Sequence, residues 1–141
     1  MRALAKSGVL ILLSILLSNS AHAHHSFAMF DENLCLSVSG VVKKYKWAYP
    51  HMWLWVTSED ADNKEVLWGF EGGDPASLAV NGWNAKVLKK GDKITVMFNP
   101  LRDGRQGGSL RQIVLPNGEN LAAQVSGSSD EKYFKTCKSP S

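Results

Sequence analysis

Apolar and polar residues alternate along much of the chain with the two-residue period of strands whose faces differ. Leu36 to Trp47 is rich in valine and aromatics, with Gly40 in its middle. It predicts a long first strand, bent or bulged at the glycine. Ala48-Tyr49-Pro50 breaks the run. Met52 to Thr57 predicts a second strand, Ser58 to Lys64 a polar turn, and Glu65 to Glu71 a third strand with Val66, Trp68 and Phe70 on one face. Asp74-Pro75 is a helix start, with Asp as N-cap and Pro at the first helical position. The helix runs to about Asn81 and stops at Gly82. Asn84 caps a further turn through Leu88. Lys93 to Asn99 predicts a fourth strand, with Ile94, Val96 and Phe98 on one face. A loop from Pro100 to Gly108 leads into a fifth over Ser109 to Leu115. Asn117-Gly118 is a hairpin signal for a short sixth strand near Glu119 to Val125.

Three strands, a helix, then two or three strands is the layout of an OB-fold: a small, all-β, five- to six-stranded barrel with one short helix between the third and fourth strands. A small sandwich is the structural rival.

The first residues break the alternation. Arg2 and Lys6 precede Gly8 to Leu17 (GVLILLSILL), and Ala21-His22-Ala23 follows. A positive start, a short apolar run and an A-x-A site make a secretory signal peptide, residues 1–23. The run is shorter than the roughly 20 apolar residues of a membrane span. The remaining chain divides into a lead-in at 24–34, a barrel domain at 35–125 and a tail at 126–141. Cleavage after Ala23 leaves 118 of the 141 residues, and changes the charge picture. The full chain carries 16 Lys and Arg against 13 Asp and Glu, formally +3. Loss of Arg2 and Lys6 leaves it nearly neutral at +1. A nucleic-acid surface needs a concentrated basic excess, so nucleic acid is not an expected partner. No membrane span is expected in the mature form.

Export also bears on Cys35 and Cys137. An even pair in an oxidising compartment reads as a disulfide. It would clip the tail to the start of the barrel. A thiolate metal site is the alternative, but no C-x-x-C spacing supports it.

Several stretches form a recurring signature: His24-His25-Ser26-Phe27, Ser39-Gly40-Val41-Val42, Trp47-Ala48-Tyr49-Pro50-His51-Met52-Trp53, Trp68-Gly69-Phe70-Glu71, Gly82-Trp83 and Leu88-Lys89-Lys90-Gly91-Asp92. They resemble a family of small exported bacterial proteins held as a domain of unknown function. The likeness spans roughly Ala23 to Leu121. Asn is usual in that family where this chain has Tyr49, and the Cys35/Cys137 pair is not among its features. The resemblance implies a bacterial exported protein, in the periplasm, and no particular activity.

The first candidate chemistry is a metal site. Cleavage after Ala23 makes His24 the first residue, so its free amine and an imidazole nitrogen can chelate one ion. His25 adds an imidazole, and His51 supplies another from the barrel. Amine and imidazole nitrogens suit Cu(II), which leads the divalent affinity order. Such a site resembles the histidine brace of exported copper proteins, and copper is the candidate cofactor. Met29 and Met52 add sulfur suited to Cu(I). The plainer alternative is that His24 and His25 are solvated tail residues, His51 hydrogen-bonds within the barrel and the methionines pack the core.

The second candidate is aromatic. Trp47, Tyr49, Trp53, Trp55, Trp68 and Trp83 fall between residues 47 and 83. Trp53 and Trp55 point to one face of the second strand, and Met52, Leu54 and Val56 to the other. A small barrel has only one interior. One apolar face is therefore either covered by the lead-in and the Trp83 turn, or open as a binding platform. Trp47, Tyr49, Trp53, Trp55 and Trp68 are the candidate ligand-binding residues.

Catalytic patterns are lacking. Glu59, Asp60, Asp62 and Glu65 cluster in a turn where Asp is expected for conformational reasons. Glu71 and Asp74 flank a glycine pair, but Asp74 is better read as a helix cap. No G-x-S-x-G, H-E-x-x-H or phosphate-binding glycine loop is present. Arg102, Arg105 and Arg111 could bind an anion, but three arginines in and after a hairpin loop read first as a solvated rim. The expectation is an exported, non-enzymatic binding or accessory protein, with His24, His25 and His51 as copper ligands. The alternatives, both without metal, are a small-molecule, saccharide or peptide binding module, and a docking subunit of a larger periplasmic enzyme.

Overall fold

The computed structural model describes residues 27–123 and 137–140. The expected signal segment, His24, His25 and most of the tail lie outside the described residues. Among the described residues, six strands follow a 3-10 turn at Phe27–Met29: β1 (Leu36–Lys46), β2 (Trp53–Glu59), β3 (Glu65–Glu71), β4 (Lys93–Pro100), β5 (Gly107–Val114) and β6 (Asn120–Ala122). One α-helix, α1 (Pro75–Ala79), lies between β3 and β4. The sheet order is β3-β2-β1-β4-β5-β6, and a parallel pairing of β3 with β5 closes five strands into a barrel. This is the expected OB-like architecture; β6 is the extra strand, antiparallel to β5.

The first strand is long because it serves two neighbours. Leu36 to Val41 pair with β4, and Val41 to Lys46 pair with β2. Gly40 sits at the handover. A Cβ there would come within 2.3 Å of the Thr57 carbonyl oxygen, so the close approach of β2 excludes any side chain. The bulge itself lies between Val42 and Lys44 rather than at Gly40. Lys43 is the extra residue, and its exposed side chain needs no place inside.

Inward alternation builds the core. Met52, Leu54, Val56, Phe70, Val96, Phe98, Leu110 and Ile113 are almost wholly buried. Each such side chain contributes on the order of 1.5–3 kcal/mol through removal from water. Trp68 faces the same way. Its ring is parallel to Phe70 at 6.5 Å and tilted against Phe98 at 5.7 Å, and its indole N–H donates to Ser58 Oγ.

Asp74 starts α1 as its sequence suggests. Oδ1 accepts from the Ser77 amide at 3.0 Å and Oδ2 from the Ser77 hydroxyl at 2.6 Å, with Pro75 in the first turn. The helix ends at Ala79, two residues before the expected limit, and Gly82 reverses the chain at φ +88°. Among the described residues, no helix is long and apolar enough to cross a membrane. Cys35 and Cys137 form a disulfide with a sequence separation of 102. Backbone bonds flank it: Ser37 N–H donates to Lys138 O at 2.8 Å, and Lys138 N–H to Cys35 O at 3.1 Å.

Candidate functional site

The outer face of the β2–β3 hairpin is fixed by register. Trp53 pairs with Glu71 and Trp55 with Gly69. The ladder continues past the strand ends, since Met52 N–H donates to Gly73 O at 3.1 Å and Gly72 N–H to Met52 O at 3.0 Å. His51 therefore shares the outer face with Trp53, two residues on, and stands diagonally opposite Glu71. Met52 turns inward beneath Gly72, where a Cβ would meet its sulfur at 2.8 Å. The glycine pair that ends β3 thus makes room for a core methionine.

Nδ1 of His51 lies against Oε1 of Glu71. The histidine side chain is 36% exposed and the glutamate 16%. A carboxylate only accepts hydrogen bonds, so Nδ1 carries the proton. The other ring nitrogen, Nε2, then carries the lone pair that can bind an ion. Metal-bound histidines in general are held through the second nitrogen in this way. Among the described residues, no group of three or more His, Cys, Asp or Glu is arranged to hold a metal by itself. Any such site on His51 needs ligands from elsewhere.

The aromatic candidates separate. Trp53 and Trp55 lie together, ring centroids 5.8 Å apart and planes at 20°, with Lys44 Nζ 5.1 Å over the Trp55 ring. Trp47 and Trp68 pack against the core. Tyr49 stands 68% exposed beside a cis bond to Pro50. Trp83 is buried and donates from Nε1 to Ala122 O at 2.8 Å. Its turn therefore plugs the barrel rather than covering Trp53 and Trp55.

A pocket of about 410 Å³ opens beside Trp53, lined also by Gly69, Glu71, Met29, Phe30 and Leu101. The lead-in is tied there by the loop after β4. Arg102 N–H donates to Met29 O, Asp31 N–H donates to Pro100 O, both at 2.9 Å, and Phe30 forms a bridge with Leu101. Of the two methionines considered for sulfur ligation, Met52 is fully buried in the core, whereas Met29 is 45% exposed and reaches this pocket.

Several of the other charged candidates are engaged structurally. Asp74 is occupied by Ser77, whose hydroxyl and amide hold its carboxyl below the usual carboxylate range. It does not pair with Glu71. Asp60 Oδ1 accepts from the amides of Asp62 and Lys64, which makes the acidic cluster a turn. Arg102 lies 3.7 Å from Asp31 and Arg105 2.8 Å from Asp103.

A family model described as a family of unknown function, DUF6152, matches residues 12–111. The chain belongs to this family. The family match takes in His51, the stacked tryptophans, Gly69 and Glu71, and stops short of Cys137. No curated protein and no solved structure matches.

The sequence did not single out Glu71 as the partner of His51, nor Gly69, Phe30 and Leu101 as pocket residues. The signal for Glu71 is the hairpin register. Counting outward from the Glu59 and Glu65 pair at the turn brings Glu71 opposite Trp53.

Proposed function

We propose that the protein is an exported, non-enzymatic binding protein of the periplasm, which holds a Cu(II)-type ion between His51 and the histidines of its mature N-terminus, His24 and His25. One observation carries the reading: Glu71 holds Nδ1 of His51, leaving Nε2 as the free nitrogen of a half-exposed ring. The lead-in supports it. Met29 lines the same pocket as Glu71, and His24 is five residues upstream, a span of up to about 17 Å of extended chain. His24 is thus within chain reach of the His51 side of the hairpin. Signal cleavage after Ala23 adds the terminal amine, giving the nitrogen donors that Cu(II) favours.

The test is calorimetric titration of Cu(II) into protein recovered from the periplasm, with its intact mass measured. The mass should place the first residue at His24. His51→Ala and His24→Ala should each weaken binding at least tenfold, and Glu71→Gln by about 10–100-fold through loss of the group that orients His51. Unchanged affinity in His51→Ala sinks the shared site. A first residue at His22 would put the chelating amine on His22 and overturn the role given to His24.

A further inference from the structure

The closing seam of the barrel and the end of β3 hold four glycines whose reasons can be separated. A Cβ on Gly107 would lie 2.2 Å from the Gly69 carbonyl oxygen, and one on Gly108 would lie 2.0 Å from that of Asn99. Both are required by the approach of neighbouring strands. Gly72 clears Met52. Gly69 differs. Its backbone is not in the left-handed region, and a Cβ there would meet only the Trp55 indole, at an ordinary 3.5 Å. Neither conformation nor packing demands a glycine at this point. A glycine inside a strand without those reasons marks a place where something else comes close.

The space it leaves forms part of the pocket beside Trp53. At about 410 Å³ the pocket is near the small end of the roughly 300–1,000 Å³ range of ligand sites. Its walls are mainly apolar: the Trp53 ring, Phe30, Met29 and Leu101. Lys44 already lies over Trp55, and Trp55 stacks on Trp53, so Trp53 is the ring of the stack that borders the pocket. The two charged groups in the wall are spoken for, Glu71 by His51 and Arg105 by Asp103. An anion meets the Glu71 carboxylate and a cation meets the Arg105 guanidinium, so a charged ligand of either sign faces a like charge in the wall. A saccharide would bring several hydroxyls to walls that offer the Gln106 amide as their uncharged hydrogen-bonding side chain, and hydroxyls left unpaired against the apolar remainder are costly. A flat, uncharged ring meets neither obstacle, and offset stacking on Trp53 is its favoured contact.

We propose that this pocket binds a small uncharged aromatic compound of one or two rings, stacked on Trp53 over Gly69. The site is independent of copper. The experiment titrates metal-free, chelator-treated mature protein, labelled with nitrogen-15, with 4-methylphenol and with indole; glucose is the saccharide comparison. Both aromatic probes should shift the Trp53 and Trp55 indole N–H signals and the Gly69 amide, saturating below millimolar concentration, while glucose leaves them in place. Gly69→Leu fills the space and should weaken binding at least tenfold. Gly69→Ala, whose methyl the structure accommodates without displacement, should weaken it about threefold and serves if the leucine variant does not fold. The proposal is overturned if neither aromatic probe gives a saturable shift, if glucose shifts the same signals, or if a folded Gly69 variant binds unchanged.

Discussion

Trp83 and Trp53 show what one residue type does on the two sides of a barrel wall. Trp83 is 1% exposed, packed among the core residues with Leu78, and its indole N–H is satisfied by Ala122. Tyr45 lies beside it at 6.5 Å and donates to Asn84 O, with burial pushing its phenol well above the usual range. Trp53 stands outside, half-buried, touching Trp55 and bordering a pocket. The inner tryptophan closes the fold and the outer one adds surface that the fold does not need. The difference is one of register: β2 sends its even-numbered residues inward and Trp53 and Trp55 outward.

The comparison is broken most directly by truncating each ring. Trp83→Ala should cost about 3–5 kcal/mol, the usual range for removing a buried large aromatic. Trp53→Ala should cost only about 1 kcal/mol, the contribution of an aromatic pair. Urea unfolding of both variants measures the gap, and equal losses would mean that Trp53 is a core residue after all. The next effect is that of the clip. The disulfide joins Cys35 to Cys137 beside the loop after β4, whose Leu101 and Arg105 also border the Trp53 pocket. Replacing both cysteines by serine should lower stability by about 2–4 kcal/mol, since the bond closes a loop of about 100 residues in the unfolded chain. If the outer pocket depends on local packing alone, binding of aromatic probes at low temperature should survive that loss.

The strands, the helix start and the disulfide were legible in the sequence because each rests on local chemistry or simple pairing. Alternation marks Ile94, Val96 and Phe98 as inward, and Asp74-Pro75 carries its own capping logic. What local pattern cannot provide is the partner. His51 and Glu71 are 20 residues apart, and only the exact turn pairing makes them neighbours. The six tryptophan and tyrosine side chains between residues 47 and 83 look alike in sequence, yet Trp68 joins Phe70 and Phe98 while Trp55 receives Lys44. Gly40 and Gly69 both interrupt strands. One is forced by the Thr57 carbonyl and the other is not, a distinction visible only once the neighbouring strand is in place.

The smallest expected effect separates two carboxylates three residues apart. Glu71 faces outward to His51, whereas Asp74 starts the helix that leads to Trp83. The Ser77 hydroxyl, then its amide, hold the Asp74 carboxyl below its unfolded value. A group lowered on folding stabilises the native state when ionised. Its contribution is present above the unfolded value and fades as pH falls through the lower folded one. Asp74→Asn keeps a capping acceptor but removes this titration. Unfolding midpoints followed from neutral pH into the acid range should therefore fall less steeply in Asp74→Asn than in the parent, with the two curves approaching each other at the acid end. Parallel curves would show that the Asp74 cap works without its charge. The inner side of the comparison would then rest on the burial of Trp83 and Leu78 alone.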